Sequence, residues 1–370
     1  MATSGIFSGP DRVEFLKSFG RPVRQGSLAE LKVSDAARVR EAIRKGDAAG
    51  ARNRLALLLP IHSGLVTTYL EWAYATRSRV AAHSTKERER ELAGRCFRTW
   101  EAGLSTGTAP FQGEAVDCVR GLLDPESVGP ETIGALRSNP GNAWSTRLNQ
   151  LPAGEMSRLH QCLDGGAADD AIRHFDAYLE AMRDRHDLIG RYVGLYGTEL
   201  AAVVGQHESL GLVQEGLESC AALAGMWGFV GQARPEDLVL MLAEHLRAHF
   251  SGEGREGGVE IVEEPDRYRL IFAPCGTGGV LRHPAVPGIK PLPEATPETW
   301  HRAGQVPAYC AHCAKNELTS IRRFGHPAWV TEFDPDPKKP CGWTVYKDPK
   351  LIPKQFFERL GLPAPTPAQG

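Results

Sequence analysis

The spacing of apolar residues changes near residue 250, and this change constrains the fold more than any other feature of the sequence. Before it, apolar side chains recur at helical spacing, as in PEDLVLMLAEHLRAHF, where Pro235 suits the first position of a helix. After the glycine-rich SGEGREGG, the segment GVEIVEEPDRYRLIFAP alternates apolar and polar residues, which is typical of two strands joined at EPDR. The sequence therefore predicts a mainly α protein with a smaller α+β domain.

The helical part contains a weak internal repeat. Residues 35–104 and 153–250 share a helical pattern, and a shift of 124 positions aligns two histidines and one cysteine of the first with those of the second: His62 with His186, His83 with His207, and Cys96 with Cys220. A duplicated helical hairpin would give this match. The alternative is an accidental alignment, because the chain has twelve histidines.

The length of 370 residues exceeds that of one small core, so more than one domain is expected. We predict a helical bundle, which the repeat suggests is duplicated, followed by a cysteine-rich, metal-binding α+β domain. The expected boundaries are residues 1–150 for the first helical repeat and a linker, 151–250 for the second repeat, and 251–370 for the α+β domain.

The eight cysteines fall into two groups. Four lie singly in helical segments, whereas the other four lie within the last hundred residues: Cys275, Cys310, Cys313 and Cys341. Each of this second group is predicted at the tip of an element, namely a strand end, a helix start for the CxxC pair, and a strand start. Thiols that converge from such tips are what a tetrahedral zinc site requires.

The spacing C-x34-C-x2-C-x27-C leaves three interpretations of these cysteines open. All four thiolates close a structural Zn²⁺ site, or three bind Zn²⁺ and leave one position to water or substrate. In the third, Cys310 and Cys313 form a redox dithiol at a helix N-terminus, although no βαβ pattern precedes them. An iron–sulfur cluster is a minor alternative to zinc as the cofactor.

Three polar residues near the cysteines are candidate catalytic groups. Glu317 follows Cys313 by four positions, so the two share a helix face, although a helix-surface glutamate would have the same spacing. His312 lies inside the CAHC motif, and helical geometry predicts that it points away from the cysteines. His249 ends its helix one turn after His245, a spacing that can chelate a metal but that also occurs on solvated helix faces.

The loop after the second predicted strand carries candidate substrate-binding residues. The glycines of PCGTGG present backbone N–H groups in a tight turn, which can cradle an anion, and a neighbouring arginine can clamp a carboxylate or phosphate. The alternative is that the glycines only turn the chain and that the arginine is solvated. The candidates are Gly276, Gly278, Gly279, Arg282 and His283.

Composition and charge restrict the partners and the compartment. The net charge of −2 gives no basic bias towards nucleic acid or an anionic membrane, and no apolar run approaches a membrane span. The first residues lack the pattern of a secretory signal, so we expect a cytoplasmic location, in which the cysteines stay reduced.

Together these features predict a zinc-dependent enzyme of the hydrolase or lyase type. It is expected to act on a small polar molecule in a cleft between the helical and cysteine-bearing domains. A non-enzymatic ligand-sensing or scaffold protein with a purely structural four-cysteine zinc site is the alternative, and a CxxC redox protein is the third possibility. The sequence does not predict the oligomeric state.

Overall fold

The computed structural model describes residues 5–104, 113–129, 143–220, 223, 225–282, 286–336 and 338–363. The described chain is mostly helical with a small antiparallel sheet region, which confirms a mainly α protein with a smaller α+β part. Among the described helices, none combines the length and apolar composition that crossing a membrane requires.

The helices and strands follow in chain order: β1 (Arg12–Leu16), β2 (Arg21–Gln25), α1 (Leu28–Lys32), α2 (Asp35–Arg44), α3 (Ala48–His83), α4 (Lys86–Leu104), α5 (Glu114–Leu123), α6 (Ala143–Asp164), α7 (Ala168–Val204), α8 (Gln206–Glu218), α9 (Met226–Val230), α10 (Pro235–Ala248), β3 (Glu260–Glu263), β4 (Arg267–Phe272), α11 (Gly278–Arg282), α12 (Ala311–Phe324), β5 (Val330–Glu332), β6 (Cys341–Tyr346) and α13 (Gln355–Glu358).

The chain forms two compact units that do not follow the order of the sequence. The helical unit comprises residues 37–224 and 280–290, and the cysteine unit comprises residues 1–36, 225–279 and 291–370. This division differs from the three consecutive regions that the sequence predicts, because N-terminal and C-terminal segments share one unit.

The helical unit shows a repeat in its backbone. The starts of α3 and α7 differ by 120 positions, as do those of α4 and α8. Gly46 and Gly166 precede α3 and α7 with left-handed φ angles of 71° and 70°. The residue after each glycine donates its N–H to the carbonyl five residues earlier, at 2.9 Å in both cases. A duplicated hairpin would therefore have a spacing of 120, so the alignment at 124 does not follow the element starts.

The cysteine unit is built around a four-stranded antiparallel sheet with the strand order β3-β4-β6-β5. The hairpin of β3 and β4 confirms the alternation seen in the sequence, and Glu263 lies opposite Tyr268 beside the turn. Helix α10 packs on β4 and β6, and Pro235 occupies its first turn as predicted.

Ionic and hydrogen-bonded contacts attach the N-terminal segment to this unit. Strands β1 and β2, which the sequence pattern does not predict, pair as a hairpin. Arg24 of β2 bonds Asp35 at 3.0 Å, and Arg247 of α10 donates to the Leu31 carbonyl at 2.8 Å. These arginines are buried, so the contacts replace their lost solvation and fix the hairpin to α10.

A buried ion pair lies inside the helical unit. Nε of Arg77 on α3 lies 2.6 Å from Oε1 of Glu89 on α4, and each side chain is 1% exposed. Taking both charges out of water is costly, so removal of either partner leaves an uncompensated buried charge.

We expect Glu89→Gln to lower the free energy of unfolding by about 3–5 kcal/mol, because Arg77 then stays charged without its carboxylate. The control is Glu91→Gln, whose partner Arg95 lies 3.1 Å away on the exposed side of the same helix. That change should cost about 0.5 kcal/mol or less. Urea unfolding followed by helical circular dichroism measures both, and equal small effects would contradict the assignment.

Candidate functional site

The four clustered cysteines all lie in the cysteine unit, at the tips of its elements. Cys275 follows β4 by three residues, and Cys310 is the residue before the first turn of α12, which carries Cys313. Cys341 begins β6 as predicted. Pairing of β4 with β6 sets Phe272 opposite Cys341, so the thiols that follow β4 and open β6 start from the same end of the sheet.

The four thiols lie near one another, and two of them lie beside Gly278. A Cβ added to Gly278 would lie 2.9 Å from Sγ of Cys310 and 3.5 Å from Sγ of Cys275. The pKa of Cys313 is raised well above its usual value, first by burial and then by Cys310, Cys275 and Cys341, although its side chain keeps some exposed surface. The fold therefore gathers the thiols that the sequence singled out.

The described part of the chain contains no group of three or more His, Cys, Asp or Glu residues already in metal-binding geometry. None of the eight cysteines, all of which are described, is in a disulfide. Cys310 and Cys341 are buried, whereas Cys275 and Cys313 are half-buried. Cys275 and Cys313 therefore each keep some surface exposed to solvent.

A hydrogen-bonded chain of imidazoles lies in the same unit. His249 caps the C-terminal end of α10, where its Nδ1 lies 2.9 Å from Oγ1 of the buried Thr277. Its Nε2 lies 2.8 Å from Nε2 of His245, one turn earlier, and the two rings meet edge to face. His245 stacks on Trp343 of β6 with ring centroids 5.9 Å apart.

His312 turns towards Cys313, so the prediction that it points away from the cysteines is wrong. In the first turn of α12, its Nδ1 lies 2.5 Å from the carbonyl of Tyr309, which can only accept, so Nδ1 donates. Its Nε2 then faces Sγ of Cys313 at 3.6 Å as an acceptor. Burial lowers the pKa of His312 to about 4, which keeps this ring neutral near pH 7.

The ring of His245 is surrounded by many protein atoms, yet the residue keeps exposed surface. Desolvation and then the nearby His312 lower the pKa of His245. Part of the His245 side chain is nevertheless exposed, so water reaches a ring that the protein otherwise surrounds. Because water reaches the ring, we expect the pKa of His245 to be lowered less than full burial would lower it.

The glycine loop makes a close approach that positions Thr277. A Cβ on Gly276 would overlap the carbonyl of His249, so only glycine lets the loop pass directly against the end of α10. This approach sets Thr277 beside the His249 ring.

Two of the loop N–H groups bond to the protein itself. The N–H of Gly276 donates to Ser251 Oγ at 3.0 Å, and that of Gly279 to the carbonyl of Cys275 at 2.9 Å. Both are therefore engaged in shaping the loop, and substrate binding by Gly276, Gly278 and Gly279 stays a prediction.

Glu317 is a buried carboxylate and not a surface residue. Its two oxygens accept from Nη2 of Arg359 at 2.8 and 2.9 Å, from the Thr331 N–H at 2.6 Å and from Nε1 of Trp300 at 3.4 Å. Burial raises its pKa, and it lies close enough to Cys313 to influence that thiol. These contacts connect α12 with β5 and the C-terminal segment, and a catalytic role for Glu317 stays a prediction.

The two remaining candidates lie outside the gathered set. Arg282 ends α11 within the helical unit, and His283 lies outside the described residues. Their predicted roles in substrate binding are therefore untested.

Sequence reasoning missed three residues of the site: Thr277, Trp343 and Ser251. The spacing of His245 and His249 signalled a shared helix face, but their partners come from distant segments. The threonine within CGTGG and the aromatic residue two positions after Cys341 were the signals in the sequence that could have indicated Thr277 and Trp343.

No protein-family model, curated protein or solved structure matches the chain. The function of the chain is therefore inferred from the chemistry of its residues.

We expect Glu317→Gln and Arg359→Met each to lower the free energy of unfolding by about 1.5–3 kcal/mol, because each removes charge-assisted hydrogen bonds to a buried group. Glu332→Gln is the control, since its partner Arg269 lies 3.3 Å away and both are partly exposed. Chemical denaturation measures the three variants. If Glu317→Gln unfolds like the wild type, the structural role is wrong.

Proposed function

We propose that the chain is a zinc-dependent enzyme of the hydrolase or lyase type that acts on a small polar molecule. Three of the thiols of Cys275, Cys310, Cys313 and Cys341 would hold Zn²⁺ and leave its fourth position to water or substrate. The observation that carries the proposal is the gathering of these thiols, two of them beside Gly278, near hydrogen-bonded imidazoles. Thiolate sulfur is a preferred ligand of zinc, and four element tips suit a tetrahedral ion.

The imidazoles favour an enzyme over a purely structural zinc site. A closed four-thiolate site needs no neighbouring bases, yet His312 directs Nε2 at Cys313 and a second pair of imidazoles lies nearby. When bound, zinc activates water or polarises a substrate carbonyl. A neutral imidazole within reach can then accept or return the proton. The exposed surface of His245 and the half-buried Cys275 give a small molecule access.

One observation favours the second candidate, a non-enzymatic sensor or scaffold with structural zinc. Cys310 and Cys341 are buried, and the four thiols come from the end of β4, the start of α12 and the start of β6. A metal bound by all four would fix these elements to one another and contribute to folding. In that case the domain would be stabilised by zinc without turnover.

A redox role for Cys310 and Cys313 is the third candidate. This role is consistent with the position of Cys310 and Cys313 at the start of α12 and with their CxxC spacing. It assigns no role to the nearby Cys275 and Cys341. Metal content under reducing conditions separates this candidate from the other two.

We expect the chain, purified under reducing and metal-replete conditions, to contain thiolate-bound Zn²⁺ that Cys341→Ser removes. Elemental analysis measures the metal, and hydrolysis of p-nitrophenyl acetate serves as a general probe of metal-activated water. Cys162→Ser is the matched control, because that half-buried thiol lies in α6 of the helical unit. The control should keep both metal and turnover, since its sulfur lies outside the cluster.

The outcomes separate the candidates. Zinc with turnover that depends on the cysteines supports the enzyme, whereas zinc without turnover of a broad set of esters, amides and hydroxy acids supports the structural role. Iron with sulfide would indicate a cluster. Absence of any metal would overturn both zinc proposals and favour the dithiol.

Gly278→Ala tests the proposed ligand set without removing a sulfur. The added methyl would occupy space beside Sγ of Cys310 and Cys275, so we expect zinc affinity to fall about 10–100-fold, as for other changes next to ligands. Gly228→Ala in α9 is the control, because nothing lies within 4 Å of its added Cβ. Competition with a zinc chelator measures both affinities, and an unchanged Gly278→Ala would contradict the arrangement.

A further inference from the structure

Two imidazole nitrogens converge next to the thiols. His245 lies in the last turn of α10, and His249, four positions later, is the C-terminal cap of that helix. Their Nε2 atoms face each other at 2.8 Å. Two neutral rings in this arrangement share one proton between the two nitrogens. A divalent cation can replace that proton and bind both nitrogens, as histidines at this spacing do on the helices of metalloenzymes.

The surroundings of His249 match those of a metal ligand. An imidazole that binds metal through one nitrogen usually bonds a polar group through the other, which fixes its orientation. For His249 this group is the hydroxyl of Thr277, 2.9 Å from Nδ1 and buried. The close approach of Gly276 to the His249 carbonyl holds that threonine in place. Trp343 supports the His245 ring by stacking.

A third imidazole, that of His312, directs its Nε2 at Cys313 and could join the site only after it rotates. His312 donates its Nδ1 proton to the Tyr309 carbonyl, so its Nε2 acts as an acceptor. Because no three ligands already stand in metal-binding geometry among the described residues, His312 would have to rotate from Cys313 towards α10 when metal binds.

We propose that His245 and His249 form a second metal site, distinct from the four cysteines, which takes a divalent transition metal such as Zn²⁺ and recruits His312. Two or three imidazole ligands leave coordination positions for water and substrate, which is the pattern of catalytic sites. The inference rests on the proposed function for its catalytic use. The exposed side of His245 would admit the substrate to this second metal.

Cobalt titration of the metal-free chain, carried out without an affinity tag, tests the two sites separately. Thiolate-bound Co²⁺ gives intense charge-transfer absorption, whereas Co²⁺ bound by nitrogen and water gives only weak visible bands. We expect the wild type to bind two equivalents. His245→Gln/His249→Gln should lose the equivalent with weak bands and keep the thiolate absorption. Cys341→Ser should lose the thiolate absorption.

Two further variants control for unfolding of the domain and for metal binding by an unrelated histidine. His245→Gln alone changes a partly exposed ring and should weaken the second equivalent without unfolding the domain, which circular dichroism checks. His83→Ala removes an exposed histidine at the end of α3 and should leave both equivalents unchanged.

The outcomes distinguish failure of this inference from failure of the proposed function. If the wild type binds one equivalent, through thiolates only, or if the double variant still binds two, the histidine site is wrong and the thiolate zinc is unaffected. If binding depends on His245 and His249 without thiolate absorption, the histidine site stands and the four-cysteine zinc proposal is wrong.

Discussion

The antiparallel pairing of β4 with β6 is the constraint on which the candidate site depends. Its register sets Phe272 opposite Cys341, which brings together two parts of the chain that are about seventy positions apart in sequence. Cys275 follows one strand and Cys341 opens the other, so a one-residue slip would move the Cys341 side chain to the other face of the sheet. Loss of this register would therefore separate Cys341 from Cys275, even if the CxxC segment kept its local structure.

The second constraint is the contact between the glycine loop and the end of α10. The loop begins at the end of β4 and passes so close to the His249 carbonyl that position 276 admits no side chain. Because α10 packs on β4 and β6, the same sheet positions both the thiols and the imidazoles. The two sets of potential ligands are thus held by one core.

Local patterns in the sequence predicted the local structure, and long-range packing determined the rest. The β3–β4 hairpin, the proline at the start of α10 and the cysteines at element tips all follow from short segments. The burial of Glu317 depends on Arg359, which lies 42 positions away, and no periodicity within α12 reveals that partner. Likewise, the direction of His312 depends on the carbonyl of Tyr309 at an irregular helix start, where ideal helical geometry does not apply.

The thiols and imidazoles of the cysteine unit differ from the buried ion pairs of the protein, and this contrast motivates the metal proposals. In the helical unit, Arg77 and Glu89 have opposite charges, so the pair offsets much of its own desolvation. In the cysteine unit, the crowded groups are thiols, which become anionic when they ionise, and neutral imidazoles, which are electron-pair donors. Neither kind can neutralise several neighbours of its own kind, and the pKa of Cys313 is raised first by burial and then by the neighbouring thiols. A cation reverses the balance, because it stabilises thiolates and accepts imidazole lone pairs at the same time. Sulfur and nitrogen donors also differ in softness, so adjacent sites built from each need not compete for the same ion under limiting metal.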